Sequence, residues 1–352
     1  MRFKQLCFLS CMLLFIGCDN KVDPNVFANS KKNKVVNKSS KKKIHIGLSM
    51  DNLVGSNKQD RDQFIAHAKK LGARVTILTA NDSSSRQSRD LNTLIQKKVD
   101  AIIILPVPEN NQFFGLATAA TGPTKRVSIP VIAYGNLNSI NKPDLYIGND
   151  YEKIGEAQAS YILSRLPKAN TGSIIRLHWG DSTNVISQLI KKGQDTILAP
   201  HIKAKSIKVL AEAWSVIQRF DDDTTVKLLK KHRNSMDAIL ASHDMIALEA
   251  IDILHEEKNT RKILITGYGG DSEACQRVNA GTQSMTVFCP KKLSIETVVD
   301  AAVKLAKGKP SGSNVSVSFI TNTITKKVPA LLNPIKVIDK KNIDERINAS
   351  KN

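Results

Sequence analysis

Six residues able to hold a small molecule fall where expected strands end: Trp179, Trp214, His243, Asp244, Tyr268 and Asp271. Indole and phenol rings stack on flat faces, while imidazole and carboxylate groups hydrogen-bond, the usual lining of a ligand cleft. Each also has a plainer reading. Asp244 and Asp271 open expected helices, where an aspartate caps the first turn as readily as it meets a ligand. His243 either faces the cleft or packs within its loop, and Tyr268 either stacks on a ligand or is simply half-buried. The two tryptophans contact ligand or pack structurally. Asn184, in the loop after Trp179, is the weakest candidate.

Bond-making chemistry has less to work with. Gly267-Tyr268-Gly269-Gly270 lacks the later glycine of a dinucleotide fingerprint, since position 272 is serine. No phosphate-cradling G-x-x-x-x-G-K-[ST] run and no G-x-S-x-G elbow occurs. The 7 histidines lack metal-ligand spacing, His232 and His243 being too distant for one helical face. No catalytic residue, metal or cofactor is therefore expected.

The elements that must position these residues alternate with little ambiguity from Ile44. Strands are expected at 44–50, 73–80, 99–107 and 129–135, and helices from Asp60 to Gly72, over 85–98 and near 109–121. Phe64, Ala68 and Leu71 share one face of the first helix, and Leu91, Leu94 and Ile95 are the buried face of the second. After Tyr146-Ile147-Gly148 the series restarts with a helix near 151–165. Strands at 173–180, 206–214, 236–243 and 262–269 then alternate with helices over 183–198, 222–233, 244–257 and 272–280. A strand at 284–289, one more helix and an extended stretch over 314–324 follow. Such βαβ alternation implies parallel sheets sandwiched by helices, and two series imply two similar lobes. A closed eight-stranded barrel is the competing architecture, although it has no need of the late β-rich tail.

The chain carries 352 residues, 41% of them hydrophobic, enough for two α/β lobes. Its net charge of +20 raises the question of nucleic acid. Ten of the basic residues precede Ile44, and the rest are scattered over many expected helices rather than gathered into a recognition helix. That pattern is a solvated surface, and no nucleic-acid partner is expected.

The N-terminus reads as an address. Met1-Arg2-Phe3-Lys4 precedes an apolar run from Leu6 to Gly17, too short to cross a bilayer comfortably and ending Phe15-Ile16-Gly17-Cys18. This resembles a bacterial lipobox, with Phe15 departing from the usual leucine. It makes residues 1–18 a lipoprotein signal peptide and Cys18 the lipidated residue, which places the protein on the periplasmic face of a bacterial membrane. Residues 19–43 are rich in Lys, Asn and Ser and read as a flexible tether. Only Cys275 and Cys289 remain in the body, and the sequence leaves open whether they pair.

Distributed matches then give the chain a family likeness. They include Ile46-Gly47-Leu48 with Asp51, Asp60-Arg61-Asp62-Gln63-Phe64, Leu71-Gly72-Ala73 and Ala133-Tyr134. Asp150-Tyr151-Glu152-Lys153-Ile154-Gly155-Glu156, Met236-Asp237-Ala238-Ile239, Ser242-His243-Asp244 and the run Ala280 to Val287 with Pro290 follow in family order. In these residues the chain resembles the type I periplasmic sugar-binding proteins, and most closely the xylose-binding members that serve ABC importers. The resemblance spans about residues 43–340. It implies an α/β fold of two Rossmann-like lobes with parallel sheets, joined by three crossings near 146–150, 284–290 and 310–316. Residues 44–148 plus 287–314 would form the N-terminal lobe, and 149–286 plus 315–345 the C-terminal lobe. Ligand would bind between the lobes, and their closure would be read by a membrane partner.

The same resemblance points to Asn52, Asn57 and Asn136 as further ligand contacts, and it also exposes departures. Gly135-Asn136 stands where the relatives carry Asp-Arg, and Val54 and Asn57 where xylose binders have Arg and Trp. His243-Asp244 replaces Asn-Asp, Gly269 a pocket aspartate, and Cys289 a lysine. Each loss removes a partner for a sugar hydroxyl, so xylose itself is not the expected ligand. The function implied is a lipid-anchored solute-binding protein that delivers a sugar-like molecule to an ABC permease. The alternative is a sensing or interaction module that feeds a receptor or histidine kinase.

Overall fold

His45–Met50 (β1) is buried at every position, because a central parallel strand has helices on both faces and no solvent side. The computed structural model describes residues 43–53, 56–107, 129–135, 143–166, 171–182, 184–215, 223–290, 295–309, 318–320 and 328–349. The expected helix near 109–121, Asn136, the address at 1–18 with Cys18 and nearly all of the tether lie outside them.

The first series runs β1, Ser56–Lys70 (α1), Arg74–Thr79 (β2), Ser84–Gln96 (α2), Ala101–Ile104 (β3), Val131–Gly135 (β4) and Leu145–Gly148 (β5). The second runs Tyr151–Arg165 (α3), Gly172–Trp179 (β6), Val185–Lys203 (α4), Ile207–Ser215 (β7), Asp223–His232 (α5), Ala238–Ala241 (β8), Asp244–Glu256 (α6), Leu264–Ile265 (β9), Ser272–Ala280 (α7) and Met285–Phe288 (β10). Ile295–Ala306 (α8), Ser318–Ile320 (β11), Val328–Leu332 (β12), Lys336–Asp339 (β13) and Ile343–Ala349 (α9) complete the chain.

Two open sheets result, which excludes the closed barrel. The first has the order β11-β12-β5-β4-β3-β1-β2, parallel except for the β11–β12 pair. The second has the order β7-β6-β8-β9, all parallel, and a Tyr268–Val287 bridge brings β10 beside it, with β13 antiparallel to β10. In both lobes the strand order reverses beside the first strand, β1 in one and β6 in the other. Open α/β sheets form a crevice at such switch points, at the C-terminal ends of their strands.

The pleat of β3 shows how one strand serves two cores. Ile103 joins Phe64 and Ala68 of α1 and Val299 of α8 on one face, while Ile102 and Ile104 meet Leu91 and Leu94 of α2 on the other. Each isoleucine fully withdrawn from water contributes about 2 kcal/mol. In the second lobe Ile239 and Ala241 pack on Ala247 and Ala250 of α6, whereas Ala238 and Leu240 pack on Ala159 and Ile162 of α3.

Two expectations are corrected, and one open question is answered. Leu71 is not on the buried face of α1; it is 41% exposed, because the helix ends at Lys70 and the chain turns there. The third crossing is not at 310–316. β11 and β12 pair onto the free edge of β5 in the first sheet, so the chain leaves that lobe between Leu332 and Lys336. Residues 318–320 and 328–332 therefore belong with the N-terminal lobe, although 315–345 was expected in the other. Cys275 and Cys289 are free thiols, Cys275 on the buried face of α7 and Cys289 half-buried at the second crossing.

Candidate functional site

Trp179 ends β6, His243 follows β8, and Tyr268 follows β9, so all three lie at the C-terminal edge of the second sheet. The fold brings them into one panel. The Trp179 and His243 ring centres are 5.7 Å apart with planes tilted 31°, and Tyr268 meets His243 edge-on at 5.8 Å. Tyr151, at the start of α3, extends the row by an edge contact with Tyr268 at 6.1 Å. Trp179, His243 and Tyr268 are half-buried, while Tyr151 is buried. The base of the panel is fixed by backbone bonds: Trp179 N–H donates to Ser242 Oγ at 2.8 Å, and Ser187 Oγ donates to the Trp179 carbonyl at 2.7 Å.

His243, not Asp244, caps α6. Its Nδ1 accepts the Met245 N–H at 3.3 Å. Burial holds its pKa below the ordinary value, against the pull of the Asp244 and Asp271 carboxylates. An imidazole that accepts at Nδ1 carries its proton on Nε2, so a neutral ring offers a donor from that nitrogen.

Asp244 is drawn inward instead of facing a ligand. It is 1% exposed, and its carboxylate accepts from Gly270 N at 2.7 Å, Gln283 Nε2 at 2.7 Å and Thr286 Oγ1 at 2.8 Å. Burial nevertheless raises its pKa, with those donors opposing. This carboxylate explains the glycine run. A Cβ at position 267 would sit 2.0 Å from Asp244 Oδ1, and Gly270 needs φ +68° to aim its N–H at Oδ2. The loop wraps a buried carboxylate, which accounts for glycines that fall short of a dinucleotide fingerprint.

The other expected contacts are dispersed. Asp271 is exposed and caps α7 by accepting from Ala274 N at 2.7 Å, its plainer reading. Asn184 caps α4 in the same way, through Ser187 N at 3.0 Å. Trp214 is aligned with His178, whose ring centre is 4.4 Å from its own, and adjacent residues of a strand face opposite sides of the sheet. It therefore packs behind the panel, next to the Arg176–Asp195 ion pair at 2.5 Å and the contact of His178 with Glu212 at 3.3 Å. In the first lobe, Asn52 lies just past β1 and donates to Asp82 Oδ1 at 2.7 Å, with Asp51 beside it. The side chain of Asn57 is outside the described residues, as is Asn136.

Two asparagines at the crossings were not singled out from the sequence. Asn149 donates from Nδ2 to the Tyr268 hydroxyl at 2.8 Å, and Asn333 donates from Nδ2 to Asn149 Oδ1 at 2.8 Å. Asn149 belongs to the first crossing and Asn333 to the third, so this relay ties both to the panel. The signal available was only that each follows a strand; their pairing is set by tertiary structure. Among the described residues no group of His, Cys, Asp and Glu is placed to hold a metal. Burial pushes the Cys289 thiol up to about 12, which leaves it protonated and a poor nucleophile at neutral pH.

A two-lobed α/β fold with its crevice at the strand ends defines a class, and comparison with known proteins gives the family. Residues 46–310 match the family described as the periplasmic binding protein domain. The D-xylose-binding periplasmic protein of Haemophilus influenzae is 31% identical over 312 residues, 87% of this chain and 89% of that protein. Its namesake in Escherichia coli is 30% identical, over 87% of this chain and 90% of its own length. Among solved structures, an ABC transporter solute-binding protein from Clostridium phytofermentans with bound β-D-glucose superposes with a TM-score of 0.67 at 20% identity, over 87% of this chain and 97% of that one. The chain belongs to the type I periplasmic sugar-binding protein family.

Proposed function

We propose that this protein captures a sugar or sugar-like small molecule between two closing lobes and delivers it to an ABC importer. The observation that carries the reading is the aromatic panel Trp179–His243–Tyr268 at the C-terminal edge of the second sheet, linked through Asn149 and Asn333 to the crossings. Rings on that edge give a ligand a face to stack on, and the relay gives lobe movement a direct mechanical connection to that face. No covalent step is assigned to any residue. The names of two relatives, D-xylose-binding periplasmic proteins of Haemophilus influenzae and Escherichia coli, support a sugar-like ligand. The replaced polar positions at Gly135, Gly269 and Cys289 argue against xylose itself. Cys18 is the lipid attachment site in this reading, and it holds the binding domain at the periplasmic face of a membrane through the tether.

The test is a thermal-shift series on the full chain with pentoses, hexoses, polyols, cyclitols and nucleosides. A ligand that binds only the folded state raises the melting temperature with its concentration. A shift with one chemical class supports capture for import. A protein that melts cooperatively and responds to none overturns capture and favours the module that signals to a receptor or histidine kinase. Radiolabelled palmitate incorporated into wild type and absent from Cys18→Ser tests the anchor.

A further inference from the structure

We propose that the base of the first lobe, the end of its sheet opposite the cleft, is a docking surface for anionic lipid headgroups. The inference rests on the lipid anchor of the reading above for its choice of a membrane as partner; the surface itself follows from the fold.

Parallel alternation gathers cations that the sequence scatters. Lys43 precedes β1, Lys69 and Lys70 end α1, Arg74 opens β2, and Lys97 and Lys98 follow α2. Strands β3, β1 and β2 are neighbours, and their starts are level. Arg74 N–H donates to the Ile44 carbonyl at 2.9 Å, and Asp100 N–H donates to the His45 carbonyl at 2.6 Å. The six cations therefore surround the N-terminal ends of three adjacent strands, and all six are exposed. The one carboxylate among residues 43, 69–74 and 97–100 is Asp100, which accepts the His45 N–H at 2.8 Å. Among the described residues none of the six forms an ion pair. The same end of the second sheet is partly neutralised, since Lys230 pairs there with Glu257 at 2.9 Å and Arg261 with Asp237 at 3.2 Å. Complementing a helix dipole accounts for Lys69 and Lys70, but Lys43 and Arg74 precede strands.

Aliphatic side chains lie among these charges. Leu71, in the turn between Lys70 and Arg74, is 41% exposed, and Ile65 of α1 is 46% exposed. β2 is the edge of the sheet, and a groove of about 450 Å³ runs between it and α1. Ile65, Val75 and Ile77 give the groove apolar walls, with Arg61, Lys69 and Arg74 along it. Asp62 holds Arg61 at 2.7 Å, which leaves the charges of Lys69 and Arg74 uncompensated. Cations beside exposed aliphatic groups match a headgroup layer, where phosphates meet the first methylenes. Lys43 is also the residue through which the preceding chain, with Cys18, joins the fold, so an anchored domain has this end tethered to the bilayer. Each Lys or Arg close to an anionic bilayer is worth about fivefold in partition, and tethering lets such weak contacts count. The cleft edge lies at the other end of the same strands, so ligand is captured away from the lipid.

The test is amine acylation of the full chain on vesicles, read lysine by lysine by mass spectrometry. The vesicles are phosphatidylcholine alone or phosphatidylcholine mixed with phosphatidylglycerol. On the anionic vesicles Lys69, Lys70, Lys97 and Lys98 should react about fivefold more slowly than on the neutral ones. Lys153 and Lys192 of the second lobe should react equally on both. Lys69→Gln with Arg74→Gln should restore the rates at Lys97 and Lys98 and weaken flotation with anionic vesicles about 20-fold, with the melting temperature retained. Both chains carry the same segment ahead of Lys43, so the difference between them reports the base alone. Ile65→Ser with Leu71→Ser should weaken flotation severalfold without changing its salt dependence, the mark of an apolar contact. Equal rates on the two vesicle types, or slowing that persists in the Lys69→Gln, Arg74→Gln variant, overturns the proposal. Heparin that protects the four lysines as well as the vesicles do, with flotation indifferent to Ile65→Ser and Leu71→Ser, assigns the base to a soluble polyanion and also overturns it. Palmitate incorporated at Cys18 without this footprint leaves the anchor standing and removes the inference. The footprint without palmitate does the reverse.

Discussion

At Asp244 a carboxylate is held in the interior by a backbone N–H, an amide and a hydroxyl, and its removal strands the Gly270 N–H and the Thr286 hydroxyl and leaves Gln283 Nε2 with only the Met285 carbonyl. Asp244→Ala should therefore cost about 3 kcal/mol, since each stranded buried donor carries a desolvation penalty of order 1 kcal/mol or more. A urea midpoint indistinguishable from wild type would count against that account. His243 supplies a pH test at the same spot. Its pKa is depressed below 6.5 by burial, while the Asp244 and Asp271 carboxylates pull upward and the Trp179 and Tyr268 rings flank it. The unfolded chain takes up this proton first, so stability is lost as pH falls through 6.5 toward the lower folded value. Protonation also converts Nδ1 into a donor facing the Met245 N–H and puts positive charge at a helix N-terminus. Asp244 acts with the opposite sign: its raised pKa makes stability rise as pH falls through that folded value toward 3.8. Subtracting the pH profile of His243→Asn isolates the histidine. The wild type's advantage over that variant should shrink from pH 7 to pH 5, and a flat difference would exclude the assignment. His243 was legible as a strand-end residue, but its capping role was not, because aspartate is the commoner N-cap and Asp244 stood next to it.

β3 was legible because Ala101–Ile104 is apolar throughout, and only a strand covered on both faces reads that way. Ile103 is 0% exposed, and Ile103→Asp would bury a charge with no partner among the residues of its core cluster. That variant should lose more than about 4 kcal/mol and fail to melt cooperatively by circular dichroism. A cooperative transition close to wild type would mean that the core reorganises around the carboxylate. The elements missed have physical reasons. No strand was expected over Val328–Leu332, which contains Pro329; that proline lies in β12 opposite Phe319 on the short outermost strand. Proline is tolerated near a sheet edge where its missing N–H costs little. β9 was expected to run to 269 and is assigned only Leu264–Ile265, because the chain beyond it bends around Asp244. Periodicity finds strands that fill a core and is blind to the tertiary carboxylate that interrupts one.

For the whole molecule the question is how two lobes, each with its own cores, are made to act together. The contacts at the crossings give a concrete answer. Tyr146 donates its hydroxyl to the Gly135 carbonyl at 3.1 Å and accepts Asn149 N–H at 3.0 Å, which fixes the end of β4 against the first crossing. Asn149 then reaches Tyr268 in the second lobe, and Asn333 reaches Asn149 from the third crossing. None of this could be read from spacing, since positions 149, 268 and 333 meet only once both sheets exist. Asn149→Ala removes the central amide of the relay. The Tyr268 hydroxyl loses a donor, the Asn333 amide loses an acceptor, and the crossings keep their backbone but not their cross-link. Because each lobe retains its buried core, the melting temperature should fall by only a few degrees. Ligand closure, however, must then order groups that the wild type holds in advance, and such ordering is charged against affinity. The expected result is about tenfold weaker binding, roughly 1.4 kcal/mol, for whichever compound shifts the wild type. Small-angle scattering of the unliganded variant should show a broader distance distribution than wild type. Unchanged affinity together with unchanged scattering would mean that the edge contact with Tyr151 and the bridge to Val287 suffice to position Tyr268. Hinge control would then belong to the backbone of the crossings rather than to their side chains.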